Sequence, residues 1–154
     1  MRTISDWLSA YWESHKTETN KLIHWICVPA IVFSILGMLH VIKLPFYLGV
    51  YQLNVGLLVS LVALLYYFLL SASLSIGMFL YLAVCMLIAN LIERSGMVPL
   101  WLFSIIIFAL AWAGQFYGHK IEGKKPSFLK DIQFLMIGPA WLMSFIYKKI
   151  GVTL

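Results

Sequence analysis

The chain has 154 residues, of which 62% are hydrophobic and only 11% charged, and its mean hydropathy is +0.93. A water-soluble domain of this length needs no such excess for its core, so the composition marks an integral membrane protein. The formal charge of +5 does not point to nucleic acid, because Lys16 and Lys21, Lys120, Lys124, Lys125 and Lys130, and Lys148 and Lys149 gather beside the ends of apolar runs, where positive-inside topology and anionic headgroups place them.

In chain order, residues 3–19 place Trp7, Leu8, Tyr11 and Trp12 among polar Asp6, Glu13 and Lys16. This pattern predicts an amphipathic interfacial helix that carries His15 toward the mouth of the bundle. The first 21 residues are too polar and aromatic for a secretory signal, and nothing reads as cleaved. Four apolar runs follow, 22–42, 53–70, 74–92 and 97–117, each of about the length needed to cross roughly 30 Å of hydrocarbon as a helix. A fifth run, 132–147, is shorter and carries Gly138-Pro139 near its middle. It reads as a kinked span, a re-entrant hairpin or an interfacial helix, with the non-spanning forms favoured.

The expected architecture is therefore an all-α, multi-pass helical bundle forming one domain over 1–154. Residues 1–21 form the interfacial helix, 22–117 the four spans, and 118–154 a basic loop and a C-terminal apolar helix. The connections 43–52 (with Pro45), 71–73 and 93–96 are brief, which makes consecutive helices antiparallel neighbours. Gly56, Ser60, Ala63, Gly77, Ala109 and Ala113 are small residues that permit close helix approach. Cys27 and Cys85 sit inside separate apolar runs and read as small core residues. The basic residues favour a cytoplasmic N-terminus and a cytoplasmic loop after His119, with Lys43 and Arg94 opposite. The compact size leans toward a bacterial inner membrane over an endoplasmic reticulum, and self-association is left open.

Four spans separate His24 from His119, and an even number returns both imidazoles to one face of the bilayer. A histidine cluster there is a natural metal site. His40 does not join it: sixteen residues along one helix set it about 24 Å from His24, as a helix-end residue without a catalytic part. His15 and His24 face opposite sides of an unbroken helix, so they share an ion only if the chain bends between them, and Thr17, Thr19 and Asn20 are cap-forming residues at that place. His119 and Glu122, three apart, share one helical face and offer a nitrogen and a carboxylate to a cation such as Fe(II). The competing reading is a helix end with Gly118 and Gly123 as breakers and Glu122 paired to a lysine. No nucleophile elbow, phosphate loop or cysteine–histidine pair supports a hydrolytic scheme.

Tyr11-Trp12-Glu13-Ser14-His15, Asn20, Ile23-His24 and Cys27-Val28-Pro29 resemble the opening signature of the 2-hydroxy fatty acid dioxygenase family of fungal phytosphingosine breakdown. Ala111-Trp112-Ala113-Gly114-Gln115-Phe116-Tyr117-Gly118-His119, Glu122, Lys125-Pro126 and the late Gly138-Pro139 resemble its second block. Ser127-Phe128 departs from the small residue expected after that proline, and the chain is shorter than fungal members.

The resemblance implies an iron(II)-dependent, 2-oxoglutarate-independent oxidation in which dioxygen and a 2-hydroxy fatty acid give carbon dioxide and a fatty acid one carbon shorter. It assigns His15, His24 and His119 as ligands of Fe(2+), with Glu122 as a fourth ligand or as the group that orients an imidazole. Lys120, Lys124 and Lys125 either neutralise the substrate carboxylate or are solvated positive-inside residues. Asn20 and Gln115 are weaker candidates to touch the substrate or to hydrogen-bond the ligands or backbone at the site, and Tyr11 and Trp112 line the site or anchor in the interface. The membrane lipids would hold the substrate's tail. Two other classes stay open: a non-enzymatic haem- or metal-binding membrane protein with His24 and His119 as axial ligands, and a small transporter or scaffold.

Overall fold

The computed structural model describes residues 4–12, 16–123 and 135–152. Its elements are α1 (Ile4–Trp12), α2 (Glu18–His40), strands β1 (Lys43–Leu48) and β2 (Tyr51–Asn54), α3 (Val55–Leu70), α4 (Ala72–Ser95), α5 (Leu100–Ile121) and α6 (Ile137–Ile150). Apart from one hairpin, these elements are all helices. Three of the helices, α2, α4 and α5, are long and apolar enough to cross a membrane. The outward faces remain apolar: Leu61, Leu65 and Leu69 of α3, Leu80 and Leu87 of α4 and Leu110 of α5 are all exposed, as a chain solvated by lipid requires.

The second apolar run differs from its expected span. Asn54 accepts a hydrogen bond from Leu57 N at 2.9 Å and caps α3, so the helix begins only at Val55 and its 16 residues rise about 24 Å. Ser71 then ends α3 and accepts from Leu74 N at 3.3 Å to start α4. One residue thus makes the whole turn between the two helices.

The connection 43–52, expected as a simple link, forms instead a hairpin in which Leu48 pairs with Tyr51 and Lys43 with Asn54. Gly49 is the turn residue with positive φ (+60°), and among the described residues no non-glycine residue has one, which is the pattern of a type II′ turn.

The C-terminal run also differs. Gly138-Pro139 falls in the first turn of α6, where the backbone N–H groups have no intrahelical partner, so the proline costs no hydrogen bond and does not kink the helix. Ile137, Ala140 and Trp141 are buried, and the Tyr67 hydroxyl of α3 donates to Met136 O at 2.7 Å just before the helix. At the other end of α6 the Tyr147 hydroxyl donates to Ser73 O at 2.6 Å and accepts from Gly77 N at 3.0 Å.

The N-terminal helix is shorter than 3–19 and packs one face on the bundle, with Ser5, Asp6 and Ser9 exposed on the other. Tyr11 is 4% exposed and packs with Val28 of α2 and Ile137, Trp141 and Leu142 of α6, with Trp7 and Leu8 beside it. Trp12 stays half out, with the Lys21 ammonium 4.6 Å from its ring centre.

α2 is the hub, packed against α5 along its length and against α3, α4 and α6. It is apolar all round, as a central helix must be: Cys27 and Ile31 meet Ala111 and Trp112 of α5, while Leu36 meets Leu82 and Cys85 of α4.

Candidate metal centre

α2 and α5 run antiparallel, and small residues set how near they come. A Cβ on Gly37 would strike Ser104, one on Gly114 would stand 2.7 Å from Cys27 Sγ, and one on Gly118 would strike Asn20 Oδ1 and lie 3.3 Å from Ile23 Cγ2. Gly114 and Gly118 therefore form a G-x-x-x-G notch on α5 that admits the first turns of α2. Gly118 lies inside the helix and does not break it; Gly123, with φ +72° just beyond Glu122, is the terminator. Ala109 and Ala113, singled out for close approach, face outward. The spacing of Gly114 and Gly118 was the signal that would have found the notch.

This approach brings the imidazoles of His24 and His119 together, with ring centres 5.2 Å apart and planes at 76°. Both residues are buried, at 1% and 6% exposure. His24 Nδ1 lies 2.9 Å from Asn20 O. A carbonyl only accepts, so Nδ1 carries the proton and the lone pair sits on Nε2, the arrangement usual for metal-bound histidines. Tyr11 walls the site, its ring centre 6.5 Å from that of His24, and Trp141 stands 5.1 Å from Tyr11.

The separation tests what these rings could hold. With nitrogen about 2.1 Å from a divalent ion and roughly 1.1 Å from its own ring centre, two imidazoles at about 90–110° on one ion have centres roughly 4.5–5.3 Å apart, against about 6.4 Å for a trans pair. The observed 5.2 Å fits neighbouring ligands of one ion and is too short for the two axial positions of a haem. Neutral imidazole is a donor that ferrous iron accepts. Among the described residues, no group of three His, Cys, Asp or Glu side chains converges, and His15 lies outside them. Its neighbour Lys16 is tied down at this same end of the bundle through Glu122.

Glu122 faces the start of α2. Its Oε1 accepts from Lys16 N at 2.9 Å, and its Oε2 accepts from Thr17 N at 3.1 Å, Thr17 Oγ1 at 2.6 Å and Asn20 Nδ2 at 3.1 Å. Thr17 is the N-cap of α2 but makes no side-chain cap bond within its own helix. The carboxylate of another helix supplies the negative charge that a helix start favours. Partial burial raises the Glu122 pKa, but hydrogen bonds from the Thr17 hydroxyl, from the backbone N–H groups of Lys16 and Thr17 and from the Asn20 amide outweigh it, leaving the pKa at about 2. The Thr17 contacts carried no sequence signal, since the partners are over a hundred residues apart.

Of the remaining candidates, Asn20 is fully buried and Gln115 is 7% exposed, one helical turn before His119. Lys120 is exposed on a different face of α5, and Lys124 and Lys125 lie outside the described residues. His40 lies at the far end of α2, 3.1 Å from Glu93 Oε2, which also accepts from Lys43 Nζ at 2.6 Å.

Fold and site together define a helical protein with three helices long and apolar enough to cross a membrane and a buried histidine pair at one end of the bundle. A family model described as 2-hydroxy-palmitic acid dioxygenase Mpo1-like matches residues 1–150, and the chain belongs to that family. It is 31% identical over 140 residues to the 2-hydroxy-palmitic acid dioxygenase MPO1 of Saccharomyces cerevisiae, covering 87% of this chain and 74% of the yeast protein. No solved structure matches it.

Proposed function

We propose that the protein is an iron(II)-dependent oxygenase that shortens 2-hydroxy fatty acids by one carbon. In balance, R–CH(OH)–COOH and O2 give R–COOH, CO2 and H2O: the C1–C2 bond breaks, C2 is oxidised to a carboxyl group and C1 leaves as carbon dioxide. The observation that carries this reading is the buried His24–His119 pair at the spacing of two ligands on one ion, in a chain of the Mpo1-like family.

His24 and His119 would hold the ion, with His15 as the third ligand. Iron(II), when bound, supplies the redox chemistry with dioxygen that amino-acid side chains lack. The protein's own contribution is placement. Asn20 O fixes the tautomer and rotation of His24, and Glu122 fixes the first turn that carries Asn20, so Glu122 acts by orienting an imidazole. The aromatic wall of Tyr11 and Trp141 excludes water from one side. The substrate's acyl tail would lie along the apolar helix surfaces, so that the bilayer delivers it.

The test is a single-turnover experiment. Detergent-purified protein is loaded anaerobically with Fe(II), its iron content is measured, 2-hydroxypalmitate is added and oxygen is admitted. The expected product is the fifteen-carbon acid with one equivalent of carbon dioxide. Full iron occupancy without that product would overturn the proposal.

A further inference from the structure

We infer that the side-chain amide of Gln115 is the group that recognises the head of a 2-hydroxy acid and distinguishes it from an ordinary fatty acid. The inference deepens the oxygenase reading and rests on it.

Gln115 lies four residues before His119, on the same face of α5. On the antiparallel seam it falls between the Gly114–Cys27 and Gly118–Asn20 contacts, at the level of His24. It is 7% exposed; among the described residues its amide takes part in no hydrogen bond, and its polar atoms are not sealed from solvent as Asn20 Oδ1 and Ser104 Oγ are. Of the other buried polar side chains, Ser34 donates to Ile31 O, Ser60 to Gly56 O and Asn20 Nδ2 to Glu122, while Asn20 Oδ1 and Ser104 Oγ have no partner among the described residues. An amide on the His119 face of α5, at the level of His24, therefore has hydrogen-bonding capacity to offer a ligand.

The chemistry of the amide selects its occupant. It offers an N–H donor and a C=O acceptor side by side, and a 2-hydroxy acid offers a carboxylate acceptor and a hydroxyl donor on adjacent carbons. Gln115 Nε2–H would donate to a carboxylate oxygen while Oε1 accepts the hydroxyl proton. A plain fatty acid lacks that hydroxyl and leaves Oε1 unpaired in a buried site, which is the condition under which a pocket rejects an analogue. Lys120, the lysine nearest His119 in sequence, is exposed on another face and cannot make this distinction from within the seam.

The test compares wild type, Gln115→Leu and Gln115→Glu, each loaded anaerobically with Fe(II). It measures iron content, binding of 2-hydroxypalmitate and of palmitate by tryptophan quenching, and kcat and KM. Gln115→Leu is expected to keep full iron content and to lose about tenfold to a hundredfold of the preference for the 2-hydroxy acid, chiefly as a rise in KM. Gln115→Glu keeps the acceptor but places a second carboxylate beside that of the substrate, and is expected to bind both acids more weakly. Full iron with undiminished preference in Gln115→Leu, or with undiminished binding in Gln115→Glu should Gln115→Leu not fold, overturns the inference. Iron loss in parallel with binding loss overturns it as well, since Gln115 would then serve the metal. A wild type that holds iron and shortens no 2-hydroxy acid overturns instead the reading on which the inference rests.

Discussion

At one end of α2 the buried imidazole of His40 faces the Glu93 carboxylate, which Lys43 holds from the other side. At the other end the buried imidazole of His24 faces a second imidazole, while the nearby carboxylate of Glu122 is turned to the N-terminus of the helix. Both ends bury a histidine on the same helix, and the difference lies in the partner. His40 Nε2 joins the Lys43–Glu93 ion pair and ties the hairpin and α4 to α2, while its buried Nδ1 has no hydrogen-bond partner among the described residues. His24 is held by a backbone carbonyl and set against a second histidine, and on the proposed reading this change of partner, more than burial, is what makes that end a metal site.

The sharpest way to break this comparison is to delete each imidazole. His24→Ala and His119→Ala are expected to lose bound iron and to lower turnover by about a thousandfold or more, while His40→Ala keeps both and loses about 1–2 kcal/mol of stability. Elemental analysis and thermal unfolding in detergent read the two effects separately, and equal loss of iron from all three variants would erase the distinction.

A smaller effect comes from the glycines that set helix spacing at the two ends. At Gly118 a Cβ strikes Asn20, whereas at Gly56 it would stand 2.9 Å from Leu36 O and 3.0 Å from His40 N. Both alanine variants are expected to lose about 1–3 kcal/mol. Only Gly118→Ala should also weaken iron binding, by about tenfold, because it displaces the turn that orients His24. Iron titration of the two variants checks this.

The smallest expected effect is the pH response of Glu122. Its folded pKa of about 2 lies below the ordinary value for a free glutamate of about 4.3. The stability it contributes is therefore complete above pH ~4.3 and is lost as the pH falls toward 2. Glu122→Gln should remove roughly 1 kcal/mol near neutral pH and flatten the stability curve between those limits. Acid titrations of both proteins followed by circular dichroism measure the difference.

What the sequence revealed follows from what hydropathy and spacing can encode. Counting passes was enough to bring His24 and His119 to the same end of the bundle and to send His40 to the other. Helix ends were less legible, because hydropathy runs unbroken through Asn54 and only its cap bond decides where α3 begins. The hairpin had a signal, strand-type residues on either side of Gly49, but it was masked by Pro45 and by the short length of the connection. The packing of Tyr11 against α6 depends on tertiary contacts that no local pattern carries, and so does the convergence of Lys16, Thr17 and Asn20 on Glu122.

Because the paired imidazoles belong to α2 and α5, with α3 and α4 between them in the chain, no nascent fragment that ends before α5 contains both. On the proposed reading biogenesis comes before loading: the last long helix must be inserted, with α2 seated in its glycine notch, before a cation would find both ligands. An unfinished chain on the ribosome would in this way be spared the damage that redox-active iron does when it is held by an incomplete site.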